Sequence, residues 1–164
     1  MSERWSRRFT LAALIHGIIA AIWSGLFLVD QIGISLNLSR IVAGGSVGTW
    51  LTMGYLLYLI TGPLSMAAWG AIYGPNLKNS GKSLYSDRLA WIHFVLFNIG
   101  VMGTTWLMGY AGFIGGSLLL AGRAAEVHQT IVGLVQPIGI SVAIGALSTL
   151  IGVFNILRSM TSPR

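Results

Sequence analysis

The chain has 164 residues, ten of them Lys or Arg and four Asp or Glu, so 9% carry charge where an ordinary soluble domain has roughly a quarter. Apolar residues make up 54%, and the mean hydropathy is +0.76. That is too little charge to keep a folded surface in water. It excludes a soluble globular domain, a disordered chain and a coiled coil, and leaves an all-α polytopic membrane protein. The net charge of +6 comes from basic residues scattered along the chain. They form no phosphate-binding patch, so nucleic acid is not a partner. Cysteine is absent, which removes disulfides, thiolate metal sites and cysteine nucleophiles.

Four stretches reach the ~20 mostly apolar residues that a membrane helix needs. In chain order they cover about Phe9 to Val29, Val47 to Tyr73, Leu89 to Phe113 and Ile131 to Leu157, with the third able to continue to Leu120. They form a single four-helix transmembrane domain over residues 1–164. Continuous apolar runs, rather than alternating ten-residue segments, argue against a β-barrel. The first stretch follows Arg4, Arg7 and Arg8. It is too long for a secretory signal core and lacks a small-residue cleavage site, so it reads as a retained helix. Met1 and the short polar tail fit a complete chain.

Basic residues set the orientation. With four spans, Arg4, Arg7, Arg8, Lys78, Lys82, Arg88, Arg158 and Arg164 fall on one side, and Arg40 and Arg123 on the other. Both termini are therefore expected in the cytoplasm. Small residues supply the packing faces, since lipid gives helices no hydrophobic reason to associate. Gly17, Ala21 and Gly25 line the first span, Gly112 and Gly116 the third, and Ser141, Gly145, Ser148 and Gly152 the fourth. Gly62-Pro63 should kink the second. Some of these faces are candidates for contact with other subunits.

Candidate chemistry is sparse. Ionisable groups inside a membrane are costly and mark function by default. Here His16 lies in the first span and His93 near the start of the third. At ~1.5 Å rise per residue the two can reach similar depth, so a haem b held by both is an alternative to two hydrogen-bonded histidines. His128, beside Glu126, reads as loop or interface. Asp30 and Gln31 mark the outer water boundary, with a proton-accessible site as the second reading. Three histidines and four carboxylates show no close ligand spacing, so no metal site is expected. Trp5 and Trp91 best fit an interfacial aromatic belt. Ser80-Gly81-Lys82-Ser83 resembles the end of a phosphate loop, but Asn76 stands where that motif needs glycine. No Ser-His-Asp arrangement is legible, because Asp30 and Asp87 flank different membrane faces.

The stretch Leu84-Tyr85-Ser86-Asp87-Arg88-Leu89-Ala90-Trp91-Ile92-His93-Phe94, followed by Asn98-Ile99-Gly100, resembles a loop and helix opening near the end of haem-copper oxidase subunit I. The likeness is to the branch of C-family cytochrome oxidases and nitric-oxide reductases. Gln136-Pro137 and Phe154-Asn155-Ile156-Leu157-Arg158 are similar to that branch's last helix. Gly70-Ala71-Ile72-Tyr73 and Trp23-Ser24-Gly25-Leu26 resemble parts of the two helices before. The likeness spans nearly the whole chain, as the last four helices of that subunit. It also implies the ligands that are missing. The family's haem-ligating His-x-His pair falls on Tyr55 and Leu57, or in another register on Thr49 and Leu51. The haem-propionate Arg pair falls near Gly115-Gly116, and His93 is not a ligand position in the family.

The resemblance implies a non-catalytic integral membrane subunit of a respiratory electron-transfer complex in a bacterial or archaeal cytoplasmic membrane. Other membrane subunits, lipid and quinone are the implied partners. The alternatives are a haem b electron-transfer subunit using His16 and His93, and a small transporter or channel. Against the last, no span carries an internal carboxylate, lysine or arginine.

Overall fold

The computed structural model describes residues 2–29, 32–34 and 36–161. No strand occurs among them. The helices are α1 (Ser2–Val29), a short α2 (Leu38–Ala43), α3 (Gly48–Asn79), α4 (Asp87–Leu120) and α5 (Ala124–Thr161). The four long ones hold 28, 32, 34 and 38 residues and are apolar enough to cross a membrane. At ~1.5 Å per residue they are ~42–57 Å long, against ~30 Å of hydrocarbon, so their ends project. This is why α5 begins seven residues before its apolar run. Glu126, His128 and Gln129 continue the helix beyond the apolar stretch.

The outer surface matches a lipid solvent. Leu11, Leu14, Ile18 and Ile22 on α1, and Ile140, Leu147 and Leu150 on α5, are all more than half exposed. A contiguous apolar exterior of this kind is what water would not tolerate.

Two tight turns close the hairpins by one mechanism. After α4, Gly122 takes φ +73°, its N–H reaches the Leu119 carbonyl, and Arg123 N–H reaches that of Leu118. After α3, Gly81 takes φ +65°, its N–H reaches Lys78, and Lys82 N–H reaches Leu77. Both are Schellman caps, which need a left-handed residue and so favour glycine. The Ser80-Gly81-Lys82 likeness to a phosphate loop is therefore a helix-ending turn. Ser86 opens α4 as a side-chain cap, its hydroxyl accepting from Leu89 N–H at 3.3 Å.

Glycines bring the backbones together around α4. A Cβ on Gly100 would lie 2.5 Å from the Gly145 Cα of α5. One on Gly54 would lie 2.7 Å from the Gly109 nitrogen, and one on Gly112 would lie 2.1 Å from the Leu51 nitrogen. Gly116 receives Ile41 of α2. Ser141, Gly145, Ser148 and Gly152 are thus spent inside the molecule, against α4. The first-span stripe differs: nothing lies within 4 Å of a Cβ on Gly17 or Gly25. Helix α2 is too short for any hydropathy window, yet it closes one end of the bundle. There Leu38, Ile41 and Leu51 form a small core with Trp23 and Phe27.

The first and last described residues lie at the other end of the bundle. Glu3 pairs with Lys78, Arg4 with Asp87, and Ser159 accepts from Tyr85 N–H. Trp5 is buried there rather than interfacial, because its indole N–H donates to Asp87 Oδ1 at 2.6 Å. Trp91 is 54% exposed, as an interfacial residue would be.

The two glycine classes should separate experimentally. Gly112→Ala should destabilise the fold by about 1–3 kcal/mol or more through overpacking against backbone. Gly17→Ala should be neutral or stabilising by up to about 1 kcal/mol. Unfolding in mixed micelles measures both, and equal stability of the Gly112→Ala protein and the parent would contradict the α3–α4 contact.

Candidate functional site

The second span is irregular for a local reason. Gly62-Pro63 and Gly74-Pro75 each sit in a one-turn π-helix, Ile60–Leu64 and Ile72–Asn76. Proline lacks an N–H and crowds the preceding turn, so a wider turn relieves both problems. Hydroxyls complete the accounting: Thr61 Oγ1 donates to the Leu57 carbonyl at 2.7 Å and Ser65 Oγ to that of Ile60 at 2.8 Å. Each glycine of these pairs then meets α1 closely. A Cβ on Gly62 would touch the His16 ring, and one on Gly74 would collide with Ser6.

His16 is buried and has a partner on each side. Its Nδ1 lies 2.7 Å from the Tyr58 hydroxyl, and its Nε2 lies 3.1 Å from Asn98 Oδ1. Asn98 Nδ2 donates to the Phe94 carbonyl at 2.7 Å, which orients its oxygen toward the histidine. An amide oxygen only accepts, so Nε2 donates to Asn98. The imidazole thus ties α1, α3 and α4 together with both nitrogens hydrogen-bonded.

His93 is fully buried at a different level. Its ring contacts Phe9, which precedes His16 by seven residues, or about 10 Å along α1. Nδ1 lies 3.0 Å from the Tyr73 hydroxyl, and Nε2 has no hydrogen-bond partner among the described residues. Trp69, Phe9 and Phe97 surround the ring, with Trp69 edge-on at 4.3 Å between centroids. Gly152 supplies the last wall, since a Cβ there would lie 2.5 Å from the ring. Ser148 Oγ donates to the His93 carbonyl at 2.8 Å.

The two histidines are therefore not brought to one centre. A haem held by both would have to displace Tyr58 or Asn98 from His16 and open the aromatic box around His93. The residue pair does not fit that group in this arrangement. Among the described residues no three His, Asp or Glu side chains gather as metal ligands would. His128 is exposed in the first turn of α5, and Asp30 and Gln31 lie outside the described residues.

The positions that the family resemblance singled out serve packing. Tyr55 hydroxyl bonds Ser24 Oγ at 2.7 Å, Thr49 caps back to Ser46, and Leu51 lies under α2. Gly115 and Gly116 admit Val47 and Ile41. Leu57 lines a cleft of about 340 Å³ between α3, α4 and α5. Thr61, Thr105 and Thr149 also line it, but their hydroxyls donate to carbonyls of their own helices. With Thr104 as a further lining residue, the cleft presents mostly hydrocarbon.

Sequence reasoning looked for ionisable groups and passed over the amides. Asn98 and Asn155 were the signal, as polar side chains inside apolar runs. Asn155 is fully buried; Ser86 N–H donates to its Oδ1 at 3.0 Å, and its Nδ2 donates to the Ser86 carbonyl at 2.9 Å. This reciprocal pair pins the α3–α4 loop to α5. No protein-family model, curated protein or solved structure matches the chain.

Asn98→Leu should cost about 1–3 kcal/mol, because it orphans a buried donor. Adding His16→Leu should recover part of that loss, since the remaining polar demand shrinks. A double-mutant cycle reads the coupling, and strict additivity would contradict the bond.

Asp87 lies two residues before the apolar run of α4. The Trp5 N–H bond, then Arg4, hold its carboxyl below the usual carboxylate range. The unfolded chain takes up that proton more readily, so the clamp stabilises the fold above the ordinary carboxylate pKa. The contribution fades as pH falls through the folded value. An Asp87→Asn protein should show a shallower acid-side loss of melting temperature than the parent.

Proposed function

We propose that the chain is a non-catalytic integral membrane subunit of a respiratory electron-transfer complex, similar to the terminal part of haem-copper oxidase subunit I without its ligands. One observation supports this reading above others. The two stretches carrying most of the resemblance, 84–100 and 136–158, interlock. Ser86 bonds Asn155, the His93 carbonyl receives Ser148, and Gly100 meets Gly145. Beside this hairpin His16, a side chain that could have bound a cofactor, bonds the protein through both nitrogens instead.

In this reading both termini are cytoplasmic, following the basic residues at their end of the bundle. The open faces of α1 and α5 meet partner subunits and lipid. The hydrocarbon cleft beside Leu57 offers room for a quinone tail or an acyl chain.

Purification from native membranes in mild detergent, with mass spectrometry of what co-purifies, tests the proposal. Haem-bearing oxidoreductase subunits should accompany the chain. The chain expressed alone should give no b-type band in a reduced-minus-oxidised spectrum. A band that disappears in His16→Leu or His93→Leu would instead establish the haem b subunit. Solute flux in liposomes containing the chain alone would establish a transporter.

A further inference from the structure

We propose that the cleft between the start of α1 and the end of α3 binds one anionic phospholipid. This does not depend on the respiratory reading. The cleft holds about 610 Å³ and lies at the end of the bundle where the chain begins. Its upper wall carries Arg7 and Lys78 together with the carboxylate of Glu3, and its lower wall Leu11 and Leu14. Gly74 lets α1 and α3 approach until a Cβ would overlap Ser6, which closes the base.

The charge is available to a ligand. Arg7 makes no ion pair among the described residues. Lys78 reaches Glu3 at 3.0 Å, but their side chains are 71% and 73% exposed. Such a pair is worth little, so a phosphodiester can draw Lys78 away at small cost. The apolar part then decides which anion fits. Leu11 and Leu14 are 56% and 62% exposed. They continue the wall for about 10 Å from Arg7 into the apolar span, at ~1.5 Å per residue. A soluble phosphate would use only the cations. A lipid uses both, with its headgroup at the interface and the start of an acyl chain along the leucines.

Native mass spectrometry of the full chain, extracted in mild detergent and mixed with phosphatidylglycerol or phosphatidylcholine, tests this. Phosphatidylglycerol should be retained preferentially. Arg7→Gln with Lys78→Gln should weaken that retention roughly fivefold per cation removed. Arg88→Gln, a charge removed at the same end but outside the cleft, should leave it unchanged. Equal losses in both proteins would mean a general surface attraction and overturn the site. Glycerol phosphate competing as well as the lipid would mean a free-anion site and overturn it too. If the double variant is not recovered folded, Arg7→Gln alone carries the same test.

Discussion

Along α4, Gly100 turns toward α5 while Gly54 and Leu51 of α3 press on Gly109 and Gly112. A helix surrounded on several sides must be thin on each of them. Lipid tails do not push helices together as water does, so association relies on van der Waals contact at short range. One methyl group at Gly112 would overlap the Leu51 backbone, and the neighbouring contacts share that register. The position of α2 follows, because Ile41 fits where Gly116 leaves space. So does the His93 box, because Gly152 lets α5 reach the ring.

Polar groups fix what the glycines bring close. Each buried donor in such a setting is costly to leave alone. His16 meets that cost by joining three helices through Tyr58 and Asn98. Asn155 meets it by pairing with both backbone groups of Ser86. These bonds have direction, which hydrocarbon contact lacks. They select one rotation of each helix among the many that small residues alone would permit.

The spans were legible because they are a bulk property: long apolar runs separated by polar turns. The irregularity of the second span was legible through Gly62-Pro63, where a π-turn sits. Other features escaped for particular reasons. Helix α2 has six residues, too few for a window. The π-turns relieve a strain that sequence shows only as proline. Trp5 looked interfacial by position, and only the fold brings Asp87 to its indole. The histidines were found, yet their partners lie 42 and 82 residues away for His16 and 20 for His93. Sequence spacing cannot reveal whether a histidine faces a cofactor or a tyrosine.

That last distinction bears on function more than any other. A histidine kept for ligation needs one nitrogen aimed at an open space and the other oriented by a partner. His16 has both nitrogens committed to the protein. His93 has the oriented nitrogen, through Tyr73, but its ring is packed among Phe9, Trp69, Phe97 and Gly152. Each is one element short of a ligand. What remains is the use histidine shares with asparagine here, as a short polar strut between helices. A bundle braced in this way is suited to holding a fixed shape against neighbours.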